Sequence, residues 1–236
     1  MKKIFVITPA YNEEHSVGHI VREVLKNPGI TQCVVIDDCS TDQTAEAARK
    51  NGARVIQNGK NIGSGASIGI GLKYAAKEKA DTVVLMDADG QHDPKYIPKL
   101  IKSMDLNTDY VVASRYMLPG EYVTAFPRRL GTKLISGLFR LFYGQVISDP
   151  TSGFRAMNKK TFNHLLDHFP TVFSEPETAL ELIEKGYVFK EIPCQMKPRL
   201  YGNSSITSDK AMYFMIYIVI KMVYRKTRNV LTRRQQ

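Results

Sequence analysis

Cysteine is scarce: Cys33, Cys39 and Cys194 are the only three, and they form no CxxC pair. An odd, scattered set of thiols excludes a disulfide scaffold and suits a reducing compartment, with the thiols as buried apolar filling. No run of 18 or more uninterrupted apolar residues occurs, so no membrane-spanning helix is expected. The amino terminus is basic and then briefly apolar, but Tyr11, Asn12, Glu13 and Glu14 follow at once. That run is too short for a signal-peptide core and reads as a first strand, with the active part facing the cytosol. Internal repeats, low-complexity tracts and a Walker A sequence are also missing. Residues 221–236 contain no acid.

What is present is an ordinary globular composition. The chain has 236 residues, 43% of them apolar and 24% charged, enough for one large domain or a domain with a small appendage. The net charge is +10, and six of the basic residues (Lys221, Arg225, Lys226, Arg228, Arg233 and Arg234) lie in the acid-free tail. A basic tail implies an anionic partner, a membrane leaflet or nucleic acid. No nucleic-acid recognition module is visible, so the membrane is the expected partner.

Apolar β-branched runs alternate with helical patterns through the first half. Strands are expected at 4–8, 33–37, 54–57, 82–86 and 110–114, and helices at 13–26, 41–51, 64–79 and 94–104. Start signals precede three of these helices: Asn12, Ser40 with Gln43, and Asp93 followed by Pro94. This alternation predicts an α/β fold, a mixed, mostly parallel sheet flanked by helices, with ligands beyond the carboxyl ends of the strands. Further on, the pattern predicts a helix at 127–143, a loop at 148–155, a helix around 177–185 and a strand at 188–192. Ten consecutive apolar residues at 211–220 then run into the basic tail. The expected division is a catalytic domain at 1–208 and an apolar, membrane-associating helix plus tail at 209–236, a buried core helix or an oligomer-interface helix being the alternatives.

The strand at 82–86 ends in Asp87-Ala88-Asp89-Gly90-Gln91. Two carboxylates spaced i, i+2 on a glycine turn suit a hard divalent cation that keeps positions open for phosphate oxygens. The plainer alternative is a solvated acidic loop before a helix. Asp37 and Asp38 end another strand and could accept from a base or a ribose, whereas Ser40 and Asp42 read as helix caps. Tyr11 could flank a base or simply pack. The glycines at 63, 65, 69 and 71 read as tight helix–sheet packing rather than a dinucleotide fingerprint. Asp149 is the available general base for a hydroxyl acceptor, or else a loop carboxylate satisfying nearby backbone N–H groups.

Seven motifs occur in order between about residues 3 and 206: Pro9-Ala10-Tyr11-Asn12-Glu13, Asp37 to Asp42, Asn61-x-Gly63-x-Gly65, Asp87 to Gln91, Ser114-Arg115-Tyr116, Asp149 to Phe154, and Arg199-x-x-Gly202-x-Ser204. Together they resemble the family 2 glycosyltransferases of the GT-A fold, and within them the small polyprenyl-phosphate sugar synthases related to dolichyl-phosphate mannose synthase. The resemblance implies that Pro9, Tyr11, Glu13 and Asp38 line the nucleotide pocket. It implies Mg²⁺ or Mn²⁺ held by Asp87, Asp89 and Gln91, with Asp87 also reaching the ribose and Arg199 closing on the diphosphate. Arg115 would meet the phosphate of a lipid acceptor, the plainer alternative being a structural salt bridge to a neighbouring acid. Ser136 matches a second acceptor contact, but Thr132 stands where the dolichol enzymes carry an arginine, leaving Arg128, Arg129 or Lys133 as substitutes.

The chemistry is coherent on its own terms. A departing nucleoside diphosphate needs positive charge as the anomeric bond breaks, and an acceptor phosphate is already anionic and needs positioning. The expected activity is inverting transfer of a sugar, UDP-glucose or UDP-N-acetylglucosamine being the expected donor, to a polyprenyl phosphate at the cytosolic membrane face, in the making of cell-envelope polysaccharide. A hydroxyl acceptor on a glycan or lipid is the alternative, and an Asp-nucleophile phosphatase a distant one. A membrane-anchoring partner protein or a homo-oligomer is left open.

Overall fold

The computed structural model describes residues 2–117, 126–197 and 208–233, without the side chains of 126–128, 208–212 and 229–233. Its centre is a seven-stranded sheet built from β1 (Ile4–Ala10), β2 (Ile30–Asp37), β3 (Arg54–Gln57), β4 (Thr82–Leu85), β5 (Tyr110–Ser114), β6 (Arg155–Asn158) and β7 (Phe189–Pro193), in the order β3-β2-β1-β4-β6-β5-β7. β1 pairs in parallel with β2 and β4, and β5 with β7, while β6 runs antiparallel between β4 and β5.

Helices cover both faces because the strands alternate between them. On one face Val6, Val35, Val84 and Val111 meet α1 (Val17–Leu25), α2 (Thr44–Lys50) and α4 (Ile97–Ser103). On the other, Ile7, Ile36, Leu85 and Met157 meet α3 (Ser64–Lys77) and α6 (Lys159–Leu165). Gly71 of α3 lies on Ile7, where a Cβ would overlap the isoleucine side chain, so the expected helix–sheet packing holds at that glycine, whereas Gly65 lies against the backbone of Pro170 and Thr171 and a Cβ at Gly63 would meet nothing within 4 Å. A third cluster joins α5 (Phe126–Tyr143), α7 (Ser174–Glu184) and α8 (Ser208–Arg233) through Ile135, Phe139, Leu180, Ile218 and Met222.

Several local expectations need correction. Arg155, expected as the last residue of a loop, opens a strand at 155–158 that no expectation covered, and α6 follows it directly. Of the three start signals only Asp93 caps, accepting from Lys95 N at 3.1 Å before a 3-10 turn at Pro94–Tyr96. Asn12 sits at φ 55° and its Oδ1 accepts from Thr41 N, while Ser40 Oγ accepts from Asn12 N. These residues lace two strand-end loops together, and α1 and α2 begin later than expected, at Val17 and Thr44. The terminal helix is a continuous 26 residues that takes in most of the basic tail, and no helix among the described residues is long and apolar enough to cross a membrane.

Candidate active site

Sheet register brings the motifs to one edge. Ala10 of β1 lies level with Asp37 of β2, and Ile7 with Leu85 of β4, so Tyr11, Asp38 and Asp87 leave the sheet side by side. Because β6 is antiparallel, Arg155 pairs with Leu85, and the preceding loop at 148–154 returns to the same edge. β5 runs in parallel with β7, ending at Ser114 opposite Pro193, which delivers Arg115 there too.

On the nucleotide side, Tyr11 is half exposed and Pro9 is buried within β1. Glu13 is buried and accepts from Ser16 Oγ at 2.9 Å. Asp38 Oδ1 accepts from Asn58 Nδ2 (2.8 Å) and Ile62 N (2.9 Å), and Oδ2 from Gly63 N (2.7 Å). Its carboxylate therefore shapes the glycine-rich loop. Asp37 bonds to Ser40 N and Gln57 Nε2, a structural assignment.

The β4 turn carries the expected metal ligands. The Asp87 side chain is 45% exposed, whereas Asp89 is buried with Oδ1 accepting from Gln91 N at 3.0 Å. Gly90 supplies the turn at φ 80°, a left-handed conformation that strains residues with a Cβ. The Gln91 carbonyl accepts from Lys197 N at 3.0 Å, pinning the turn to the chain after β7. Among the described residues no group of three or more His, Cys, Asp or Glu could hold a metal by itself. Two carboxylates on one turn nevertheless fit a hard cation of the Mg²⁺ kind, which is bound by one or two carboxylates together with substrate phosphates.

His92, to which the sequence analysis assigned no role, is fully enclosed behind this turn. Its Nδ1 accepts from Asp87 N at 2.9 Å, and its ring stacks on Phe154 at 5.1 Å. Burial pushes its pKa down to about 4, so the ring is neutral near pH 7. Arg155, equally buried, bonds Tyr110 Oη at 3.1 Å and lies 3.6 Å from Glu175.

On the acceptor side, Arg115 and Asp149 meet each other. Asp149 Oδ2 accepts from Arg115 N (3.0 Å) and Nε (2.6 Å), and Oδ1 from Nη2 (2.6 Å); Thr151 Oγ1 takes a further Nη2 bond at 2.7 Å. Asp149 is fully buried, and its backbone N–H donates to Glu191, whose carboxyl burial raises above the usual range. Both Asp149 oxygens are thus committed to a guanidinium, which corrects the expectation of a base available to a hydroxyl. The backbone N–H that Oδ2 accepts from is that of Arg115, 34 residues away, rather than one of its own loop. Arg129 and Lys133 are exposed on α5, and Ser136 Oγ donates back to the Thr132 carbonyl. The side chain of Arg128 and all of Arg199 lie outside the described residues.

The basic tail is less free than its composition implied. Lys221 pairs with Glu177, Arg225 bonds Glu181 (2.8 Å) and Glu184 (2.9 Å), and Lys226 donates to the Phe142 carbonyl. These contacts tie α8 to α7 and α5.

The mixed, mostly parallel sheet flanked by helices, with these motifs gathered at one edge, is a GT-A glycosyltransferase fold. Residues 5–166 match the model of Glycosyl transferase family 2, and the chain belongs to that family. It is 31% identical over 227 residues to the dolichol-phosphate mannosyltransferase of Pyrococcus furiosus, covering 92% of this chain and 62% of that one. It is also 31% identical to the UDP-N-acetylglucosamine–dolichyl-phosphate N-acetylglucosaminyltransferase of Methanococcus voltae, covering 70% and 72% of the two chains. In fold it matches glucosyl-3-phosphoglycerate synthase from Mycobacterium tuberculosis, solved with Mn²⁺, uridine diphosphate and phosphoglyceric acid, at a TM-score of 0.71 and 20% identity over 95% of this chain and 78% of that one. Family membership overturns the Asp-nucleophile phosphatase alternative.

Proposed function

We propose that this enzyme transfers a sugar, with inversion, from a nucleotide diphosphate sugar to a polyprenyl phosphate at the cytosolic membrane face. The observation that carries the reading is the pairing of the β4-edge carboxylates with a surface made for lipid. α5 exposes Leu130, Leu134 and Leu141, and α8 exposes Tyr213, Ile216, Ile220 and Tyr224, each on the side away from its buried stripe. The two helices pack closely, since a Cβ at Gly131 would overlap Met215. Exposed Arg129, Lys133 and Arg140 border the apolar stripe. Apolar residues flanked by cations suit the headgroup boundary of an anionic leaflet. Residues 1–208 then form the catalytic unit and 209–236 its membrane contact.

Asp87 and Asp89, with Gln91 at the turn, hold Mg²⁺ or Mn²⁺, and Asp87 also reaches the ribose. When bound, the cation supplies positive charge to the departing diphosphate. Tyr11 flanks the base in a pocket walled by Pro9, Glu13 and Asp38, and Arg199 adds charge to the diphosphate. Arg115, oriented by Asp149, faces the acceptor phosphate together with Arg128, Arg129 or Lys133 and Ser136. A phosphate acceptor needs no deprotonation, which agrees with the commitment of Asp149 to Arg115. The donor is UDP-glucose or UDP-N-acetylglucosamine. Incubation with polyprenyl phosphate, Mg²⁺ and a panel of radiolabelled nucleotide sugars tests this: one label should become lipid-soluble. Label passing only to glycan or lipid hydroxyls would overturn the acceptor assignment.

A further inference from the structure

Asp87 lies two residues beyond β4, its side chain 45% exposed, with His92 and Gly153 packed against it. The backbone N–H of Asp87 donates to His92 Nδ1 at 2.9 Å, so in the neutral ring the proton sits on Nε2. That same Nε2 lies 3.7 Å from Asp87 Oδ2. One imidazole thus addresses both the backbone and the carboxylate of a single residue, and Phe154 holds its plane by stacking at an interplanar angle of 19°. From the other side Gly153 closes the space: a Cβ there would fall 3.0 Å from Asp87 Oδ2 and 3.3 Å from His92 Cε1. Gly153, Phe154 and His92 form a socket contributed by two separate segments of chain.

We propose that His92 is the positioning residue for Asp87, a buried imidazole whose Nδ1 fixes the backbone and whose ring, with Gly153, bounds the space open to the carboxylate at the metal site. The inference rests on the reading of Asp87 and Asp89 as metal ligands. A ligand carboxylate gains affinity when a neighbouring group fixes its orientation, and loss of such a neighbour typically costs about 10–100-fold in metal affinity.

The test measures Mn²⁺ binding to the full chain in the presence of UDP, by the EPR signal of unbound Mn²⁺, beside thermal unfolding. His92→Phe keeps a ring for Phe154 but removes the acceptor, and its Mn²⁺ dissociation constant should rise about 10–100-fold. His92→Asn keeps an acceptor for Asp87 N and should stay within about threefold of the parent, a rescue that mere core filling would not produce. Gly153→Ala leaves His92 in place and crowds the carboxylate, so it should weaken Mn²⁺ binding with little change in unfolding temperature. A folded His92→Phe protein with parental Mn²⁺ affinity would overturn the proposal. If that variant does not fold, parental affinity in Gly153→Ala overturns it instead. Asp89→Ala is the control: parental binding lost there, but unchanged in the His92 and Gly153 variants, sinks the positioning role alone. A parent chain that binds no Mn²⁺ sinks the metal reading and this inference with it.

Discussion

Changing Asp149 to Asn should destabilise the protein by about 3–5 kcal/mol, the range for removing one partner of a buried ion pair. Asp149 has no exposed surface and Arg115 only 7%, so water screens neither charge. Three donors of Arg115 converge on the carboxylate, at 2.6, 2.6 and 3.0 Å. Asparagine preserves the shape and one acceptor, so the loss comes from leaving the guanidinium without its carboxylate and not from a cavity. In a chain of this length each kcal/mol moves the midpoint by about 2–4 °C, which predicts a fall of about 6–20 °C. Urea and thermal unfolding followed by circular dichroism would measure it. The double variant Arg115→Met with Asp149→Leu should lose less than the sum of its single variants, because neither charge is stranded. A fall below about 1 kcal/mol, the level of an exposed pair, would refute the reasoning. Turnover supplies an independent check. Assayed well below its midpoint, the Asn variant should raise KM for the polyprenyl phosphate, because Arg115 loses the carboxylate that orients it, with kcat at saturating acceptor little changed. A loss of about 10²–10⁴-fold in kcat itself, the usual contribution of a general base, would return Asp149 to that role.

Asp89→Ala should lower turnover by about 10²–10³-fold, the effect of removing one strong electrostatic group, and excess EDTA should mimic it; full activity in EDTA would reject metal dependence. Deleting α8 is a poor test of membrane binding, because Ile218 and Met222 belong to the core it shares with α5 and α7. Charging its outer stripe by Ile216→Glu with Ile220→Glu should instead release the protein from anionic liposomes in flotation, with the unfolding midpoint unchanged. Burial pushes the Glu181 carboxyl up, but Arg225 and His164 pull it further down, below its ordinary 4.5. A folded-state value below the unfolded one means that its contribution to stability is complete above pH 4.5 and is lost as pH falls through the lowered value. The urea midpoint of Glu181→Gln should therefore fall less steeply than that of the parent below that pH.

Local sequence was sufficient where local physics decides the outcome. The short strands at 54–57 and 110–114 have the bounds their β-branched runs predict, and the Asp87–Asp89 pair sits at a strand end because an apolar run stops there and a glycine turn follows. The ordered motifs identified the family for the same reason, since each is a short local stretch of sequence. The helix caps were misread because Asn12 and Ser40 bond each other's loop across 28 residues of chain.

Everything that joins distant segments was decided only by the tertiary structure. β6 escaped notice because it is four residues long and opens on a buried arginine, so no apolar alternation marks it. The antiparallel insertion of that strand is what returns Asp149 to the catalytic edge, 34 residues from the arginine it holds. His92 reads as one more polar residue in an acidic loop until Phe154 and Gly153 arrive beside it on the segment that leads into the neighbouring strand β6. The basic tail shows the same limit in its charge. Composition counts Lys221 and Arg225 as cations offered to a partner, but α7 presents Glu177, Glu181 and Glu184 at helical spacing opposite them. A charge balance is local in space and not in sequence, so only the packing of α8 on α7 could show which cations the fold consumes and which remain at the surface.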